Sequence, residues 1–381
     1  MKSEWKIMKA SEFIDFNPKI SLKKGTSAKK IAMDKLMPFT KKVSGYEIAS
    51  YSGGTKFCNG DTIMARITPC LENGKTAYVD FLEEGEIAFG STEFIVMRAK
   101  EGISDSQFIY YLSISPYFRE IAIKSMVGSS GRQRVQQSVL EELELLMPPL
   151  EEQEKIGQFL KKIDDKIALN QQINNNLEQQ AQAIYQQMFT DNVELEKWEK
   201  GILGDIADIT MGQSPKGTSY NENNVGTVFF QGRAEFGHRF PTIRLYTTEP
   251  KRMANSNDVL MSVRAPVGDI NVAHEKCCIG RGLAAIRSKG NYQSFMLYTM
   301  YALKDQLDIF NGEGTVFGSI NKKALNDLPV FLPHTAKIEE FENIVDPIDR
   351  IIRNNYDEIC YLEKIRDFLL SKLMSGECRI K

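Results

Sequence analysis

The chain of 381 residues is 42% hydrophobic and 26% charged, with 48 Lys+Arg against 50 Asp+Glu and a formal net charge of −2. That length accommodates two ordinary domains; with no apolar run of about 18 residues and no apolar stretch at the start, neither a membrane-spanning helix nor a signal peptide is expected, and a cytoplasmic protein is. Six cysteines and three histidines (His238, His274, His334) fall into no Cys/His ligand spacing, so neither a metal site nor a disulfide framework is expected.

Charge is laid unevenly along the chain. Residues 1–42 hold 11 lysines against 4 acidic residues, and residues 233–289 hold 10 Lys+Arg against 5 acidic ones. Within 1–148, Thr62–Ile67, Thr76–Val79 and Phe94–Met97 read as strands, and Asn73-Gly74 is a strong turn signal between the first two. A helix is expected at 105–125, where Phe108, Tyr111, Leu112, Ile121 and Ile123 are spaced for burial. The segment reads as a small sheet domain with flanking helices.

After Pro148-Pro149, apolar or Asn residues recur at 156, 160, 163, 167, 170, 174, 177, 181, 184 and 188, in steps of four and three. Steps averaging about 3.5 are the coiled-coil period, and about 40 helical residues span about 60 Å. Residues 193–334 then repeat the grammar of the first domain: Trp198 answers Trp5, Asp258 and Pro266 answer Asp61 and Pro69, and Phe295 and Tyr298 answer Phe108 and Tyr111. A second helix copies the first 185 positions later. Ile156, Leu160, Ile163, Ile167, Asn170, Leu177 and Ile184 fall on Phe341, Val345, Ile348, Ile352, Asn355, Leu362 and Leu369. These residues are expected to pack the two helices together, with Asn170 and Asn355 on the seam. Pro347 is expected to kink the second helix or to begin it afresh with Asp346 as cap.

The motifs resemble the specificity subunit of Type I restriction–modification systems. The resemblance is carried by Asn59–Lys75 (NGDTIMARITPCLENGK), Gly90–Val96 (GSTEFIV), Pro148–Ile156 (PPLEEQEKI) and Asn257–Gly268 (NDVLMSVRAPVG), and it covers essentially the whole chain. It implies an α+β fold with a pseudo-two-fold internal repeat. Two globular target-recognition domains, 1–148 and 193–334, each a small twisted sheet with flanking helices, are separated by two long helices, 149–192 and 335–381, forming an antiparallel coiled coil. It also implies a non-catalytic protein that reads a bipartite target in double-stranded DNA and scaffolds two adenine-methyltransferase (modification) subunits, with two restriction subunits as optional further partners. No cofactor is expected in this chain. S-adenosylmethionine belongs to the modification partners, and ATP and Mg to a restriction subunit.

DNA binding needs cations for phosphates and forked or amide side chains for base edges. In the first domain the candidates are Lys56, Arg66, Thr68, Lys75 and the loop Arg132-Gln133-Arg134, set after Gly128–Gly131. In the second they are Gln213, Lys216, Arg233, Arg239, Arg264 and Arg281, with Asn321, Lys322 and Lys323 following the glycine-containing loop that begins at Gly312. The Asn/Asp-Pro-Pro-Tyr/Phe tetrapeptide of adenine methyltransferases is missing from the sequence, as is a G-x-x-x-x-G-K-[ST] loop, so catalysis by this chain is not expected. The competing reading is a protein-interaction scaffold whose duplicated helices hold partners while its globular domains bind something other than DNA.

Overall fold

Short strands rich in apolar residues are assembled by the computed structural model into two small sheets in each half of the chain. The structure describes residues 4–129, 131–191, 198–312 and 318–380. It divides into two compact units: residues 1–171 with 356–381, and residues 172–355. Each unit thus contains a globular domain and a portion of both long helices.

In the first unit an antiparallel sheet runs in the order Ile14–Phe16, Phe94–Ala99, Thr62–Ala65, Thr76–Tyr78. Its central strand Thr62–Ala65 is buried throughout, which is why the sequence there is apolar without alternation. A second sheet, ordered Glu47–Ser50, Ser27–Ile31, Ala88–Gly90, Thr55–Phe57, contains one parallel pair. A ribbon joins Lys6–Lys9 to Glu144–Met147 just before the first long helix. The helix expected at 105–125 is instead two, Ser106–Ile114 and Pro116–Lys124. The break has a local cause. Pro116 cannot continue the first helix but suits the first turn of the second, and the Ser115 side chain accepts the Phe118 N–H as its cap.

The second unit repeats this plan. One sheet runs Ala207–Met211, Leu283–Ser288, Val259–Ser262, Ile270–Val272, and a ribbon pairs Glu199–Ile202 with Pro329–Leu332. Asp61 and Asp258 hold equivalent buried turns, each gripped by the side of an arginine from the neighbouring strand, Arg98 at 2.7 and 2.6 Å and Arg287 at 2.8 and 2.8 Å. The peptides before Pro69 and Pro266 are both cis.

The long helices are Leu150–Tyr185, continued by a π-helical turn Gln186–Thr190, and Thr335–Met374. Within the first unit their segments pack antiparallel: Ile163, Ile167 and Ile359 form a buried cluster flanked by Leu362 and Leu369. Asp164 pairs with Arg366 at 3.0 Å, and Asn170 donates to Glu358 at 2.7 Å. Ile156 and Leu160 lie deeper than a helix seam, because they belong to the same core as Phe108 and Tyr111. Within the second unit Asn355 donates to Asn174 at 2.8 Å, and Asn174 donates to the Ile352 carbonyl at 3.1 Å. Phe341 and Val345 are fully buried and Ile352 nearly so, whereas Leu177, Ile184 and Ile348 are half-buried. The helix runs through Pro347 with no new start, so of the two expected outcomes the restart capped by Asp346 does not occur. Pro347 is exposed, so the carbonyl its missing N–H leaves unbonded can be met by water, and Asp346 pairs with Arg350 one turn on at 2.7 Å.

One detail of the helix–domain packing differs between the copies. In the first unit Asp105 caps its own helix by accepting the Phe108 N–H at 2.8 Å, and Gly157 of the long helix makes room: a Cβ there would sit 2.6 Å from the Asp105 carboxylate. In the second unit the residue 185 positions after Gly157 is Glu342, and its carboxylate accepts the Ser294 and Phe295 N–H groups at 3.0 Å each. The cap has moved from the helix's own cap residue to the long helix.

Candidate nucleic-acid interface

Three loops meet in the first unit. The segment after Thr62–Ala65 donates from the Arg66 N–H to the Glu93 carbonyl at 2.9 Å and accepts the Val135 N–H at its own carbonyl at 2.8 Å. Two residues on, Thr68 donates its N–H to the Gln133 carbonyl and accepts the Gln133 N–H at its hydroxyl, both at 3.0 Å. The loop carrying Arg132, Gln133 and Arg134 is thereby stitched to the cis-proline segment and to the turn at Glu93. Arg134 also grips the Glu93 carboxylate through Nε at 3.0 Å and Nη2 at 2.6 Å.

The second unit builds the same junction with other residues. Val263 donates to the Gly282 carbonyl at 2.9 Å, Ala265 to the Gly318 carbonyl at 2.9 Å, and Ile320 to the Val263 carbonyl at 3.1 Å. A further loop joins it: Gln213 donates its N–H to the Ile279 carbonyl at 3.0 Å, and the Arg281 N–H donates to the Ser214 hydroxyl at 3.2 Å. Gln213, Arg264 and Arg281 are exposed around this junction. The backbone bonds recur while the side chains do not.

Behind each junction a cation reaches the long helices. In the first unit Lys41 donates to Gln107 at 2.6 Å and to the Tyr111 hydroxyl at 3.0 Å, and Tyr111 donates to Asp164 at 2.6 Å. Burial pushes the Lys41 ammonium down to about 8, against the pull of Asp164. In the second unit Arg239 donates to Glu178 at 3.0 Å and to Asp349 at 2.5 Å, and Tyr298 donates to Asp349 at 3.0 Å. Burial opposes the Arg239 charge, but Asp349, with the two tyrosines and Glu178 behind it, holds it protonated well above its ordinary range. Tyr111 and Tyr298 are equivalents, as are Asp164 and Asp349 at the 185-residue spacing. Lys41 and Arg239 correspond too, since their carbonyls accept the Tyr78 and Val272 N–H groups, both at 2.9 Å, from equivalent strands.

A family model described as the Type I restriction modification DNA specificity domain matches residues 2–179 and again residues 195–361. The chain belongs to this specificity family. Among its relatives is a protein named as the type I restriction enzyme MjaX specificity subunit of Methanocaldococcus jannaschii, 30% identical over 377 residues, covering 93% of this chain and 86% of that one. The MjaIX specificity subunit of the same organism is 26% identical over 317 residues, covering 74% of this chain and 71% of the relative. The crystal structure of the Type I restriction–modification S subunit from M. genitalium shares the fold, with a TM-score of 0.58 at 18% identity over 97% of this chain and 96% of that one.

For a chain of the specificity family, the residues singled out in the sequence are deployed unevenly. Arg132, Gln133, Arg134 and Thr68 are brought together at the first junction, and Gln213, Arg264 and Arg281 surround the second. Arg239 is a correction: it is 5% exposed and spends its guanidinium on two carboxylates of the long helices, so it has no surface to offer a duplex. Arg66, half-buried, turns its Nη2 to the Val135 carbonyl at 3.1 Å, and Lys75, also half-buried, donates to the Met33 carbonyl at 3.0 Å. Lys56 lies half-buried with its ammonium 5.9 Å from the Tyr51 ring. Arg233 pairs with Asp269 at 2.6 Å, and Lys216 is exposed. Asn321 accepts the Ala324 N–H as an N-cap, which places Lys322 and Lys323 on the exposed first turn of a short helix instead of in a loop. Ser130 and residues 313–317 of the two proposed loops lie outside the described residues. The sequence reading missed Glu93, Lys41, Asp164 and Asp349; the last two share the helix spacing and were open to detection.

Among the described residues no helix is long and apolar enough to cross a membrane, and no group of three or more His, Cys, Asp and Glu side chains is arranged to hold a metal ion.

Proposed function

We propose that each globular domain reads one half of a bipartite sequence in double-stranded DNA. The observation that carries this is the twice-built loop junction: a fixed backbone scaffold on which the first copy displays Arg132, Gln133 and Arg134 and the second Gln213, Arg264 and Arg281. A scaffold that repeats while its polar side chains change suits recognition of two different short sequences by one mode of binding. The chain supplies specificity and no catalysis. Methyl transfer from S-adenosylmethionine to adenine is assigned to two modification subunits held by the repeated helices, and restriction subunits with ATP and Mg join that assembly where they are present. Lys19, Lys23 and Lys24, all exposed, add sequence-independent attraction to phosphates, which makes affinity fall with salt.

The test is to map methylated adenines across a genome with and without this chain, in cells that carry the modification subunit. Two short specified halves around an unspecified gap, appearing only when the chain is present, are the expected result. Gel-shift selectivity should accompany it for the reconstituted complex on duplexes bearing that motif. A complex that forms normally but selects no DNA sequence would overturn the reading and favour a scaffold for some other ligand.

A further inference from the structure

We propose that Arg134 reads a guanine in the half-site served by the first unit, with Glu93 as the residue that positions it. This rests on the reading of the domains as DNA readers.

A guanidinium offers five N–H donors along two usable edges, one formed by Nε and Nη2 and the other by Nη1 and Nη2. Glu93 occupies the first edge, taking Nε at 3.0 Å to both oxygens and Nη2 at 2.6 Å. Among the described residues nothing engages Nη1, so the terminal fork of Nη1 and the outer Nη2 hydrogen remains for a ligand. The Arg134 side chain is 47% exposed and that of Glu93 is 24% exposed, so the pair stands at the surface with its carboxylate on the inner side.

The backbone beneath is fixed from two directions. Arg134 forms bridges to both Ile67 and Val127, exchanging N–H and carbonyl with Val127 at 2.9 and 3.0 Å. A reader held in this way loses less freedom on binding than a lysine on a mobile loop.

Charge decides between a phosphate and a base. The Arg134–Glu93 pair is neutral as a unit, and a phosphate approaching the fork would meet the field of the carboxylate behind it. A base edge is uncharged and needs only two acceptors at the spacing of the fork. In the major groove guanine is the base that presents two acceptors together, O6 and N7, whereas adenine pairs an acceptor with a donor. The second unit lacks this device, because the places of Arg134 and Glu93 in its junction are taken by Ser319 and Gly282. The two half-sites are therefore read by different means.

The experiment uses the full chain in complex with its modification subunit and scores base preference at every motif position by sequencing methylated adenines. The variants are Arg134→Lys, Arg134→Gln and Glu93→Gln. For wild type, one half should contain a guanine. Arg134→Lys should reduce the preference for that guanine by roughly tenfold or more and leave the other half unchanged. Arg134→Gln should move the preference at that position toward adenine, which glutamine can pair through N6 and N7. Glu93→Gln, which keeps the size of the side chain and removes its charge, should weaken the same position and no other, and it carries the test if the arginine variants fail to assemble.

Unchanged preference at every position in a folded, assembled Arg134 variant would overturn the proposal. So would equal weakening at all positions with a shallower salt dependence, the mark of a phosphate contact. A wild-type complex with no bipartite motif would remove the reading beneath the proposal as well, and is recognised before any variant is made.

Discussion

Lys41 and Arg239 occupy equivalent places, but the chemistry of their head groups gives the two units different responses to pH. An ammonium is compact and strongly hydrated, so burial against Gln107 and Tyr111 lowers the Lys41 pKa to about 8 from its ordinary 10.5. Between those values the unfolded chain holds a proton that the folded chain has released, so the contribution of Lys41 to stability rises with pH across that window. We expect the thermal midpoint of wild type, measured relative to Lys41→Met, to increase between pH 7 and pH 9.5. Parallel curves for the two proteins would refute the assignment. Arg239 keeps its charge, being matched by Glu178 and Asp349, and contributes no such dependence in this range. Of this residue-scale chemistry, the sequence displays Tyr111 and Tyr298 as a matched pair. It hides Lys41 and Arg239, because loops of different length precede them and no constant spacing connects them. Nor does composition distinguish an arginine that will be buried between two carboxylates from one that will face a phosphate.

Helix ends explain why Gly157 and Glu342 stand at equivalent positions despite having nothing chemically in common. A glycine is required where Asp105 caps its own helix from the side of the long helix, and a glutamate is required where Tyr292 has taken the cap position and supplies no side-chain bond. Glu342→Ala removes two accepted N–H bonds at the start of Gln293–Ala302 and is expected to destabilise the second unit by about 1–2 kcal/mol. A shift of the urea midpoint with an unchanged slope would show it, and an unaltered midpoint would sink the account. The long helices were legible as elements because an unbroken period of 3.5 survives even the Asn-rich stretch. Of the two outcomes expected at Pro347, a kink or a restart, the restart does not occur, since the cost of a helical proline depends on whether the freed carbonyl faces water. The break at Ser115-Pro116 was present in the sequence as a Ser-Pro signal, but the apolar spacing across it outweighed that signal.

At the scale of the molecule the sequence shows duplication clearly, because helix length tolerates no insertion while domain loops do. What it does not show is which polar residues a fold will spend on itself: Arg239 is as basic as Arg132 or Arg281, and only the tertiary contacts separate them. If the helix pair sets the gap between half-sites, deleting one heptad from each long helix around the Asn seam removes about 10 Å of helix. At 3.4 Å per base pair that is about three base pairs. The methylated motif should then appear with a shorter gap or vanish; an unchanged gap would count against the helices as the spacing device. The relocated cap gives the two units unequal autonomy. The helix Ser106–Ile114 keeps the cap on its Phe108 N–H when it parts from the long helix and loses there one backbone bond, from the Asp105 N–H to Gln153, whereas Gln293–Ala302 loses both N–H bonds of its first turn to Glu342. Local opening in the second unit should thus be the more cooperative, so that its amides exchange with solvent together, while those of the first unit exchange piecemeal.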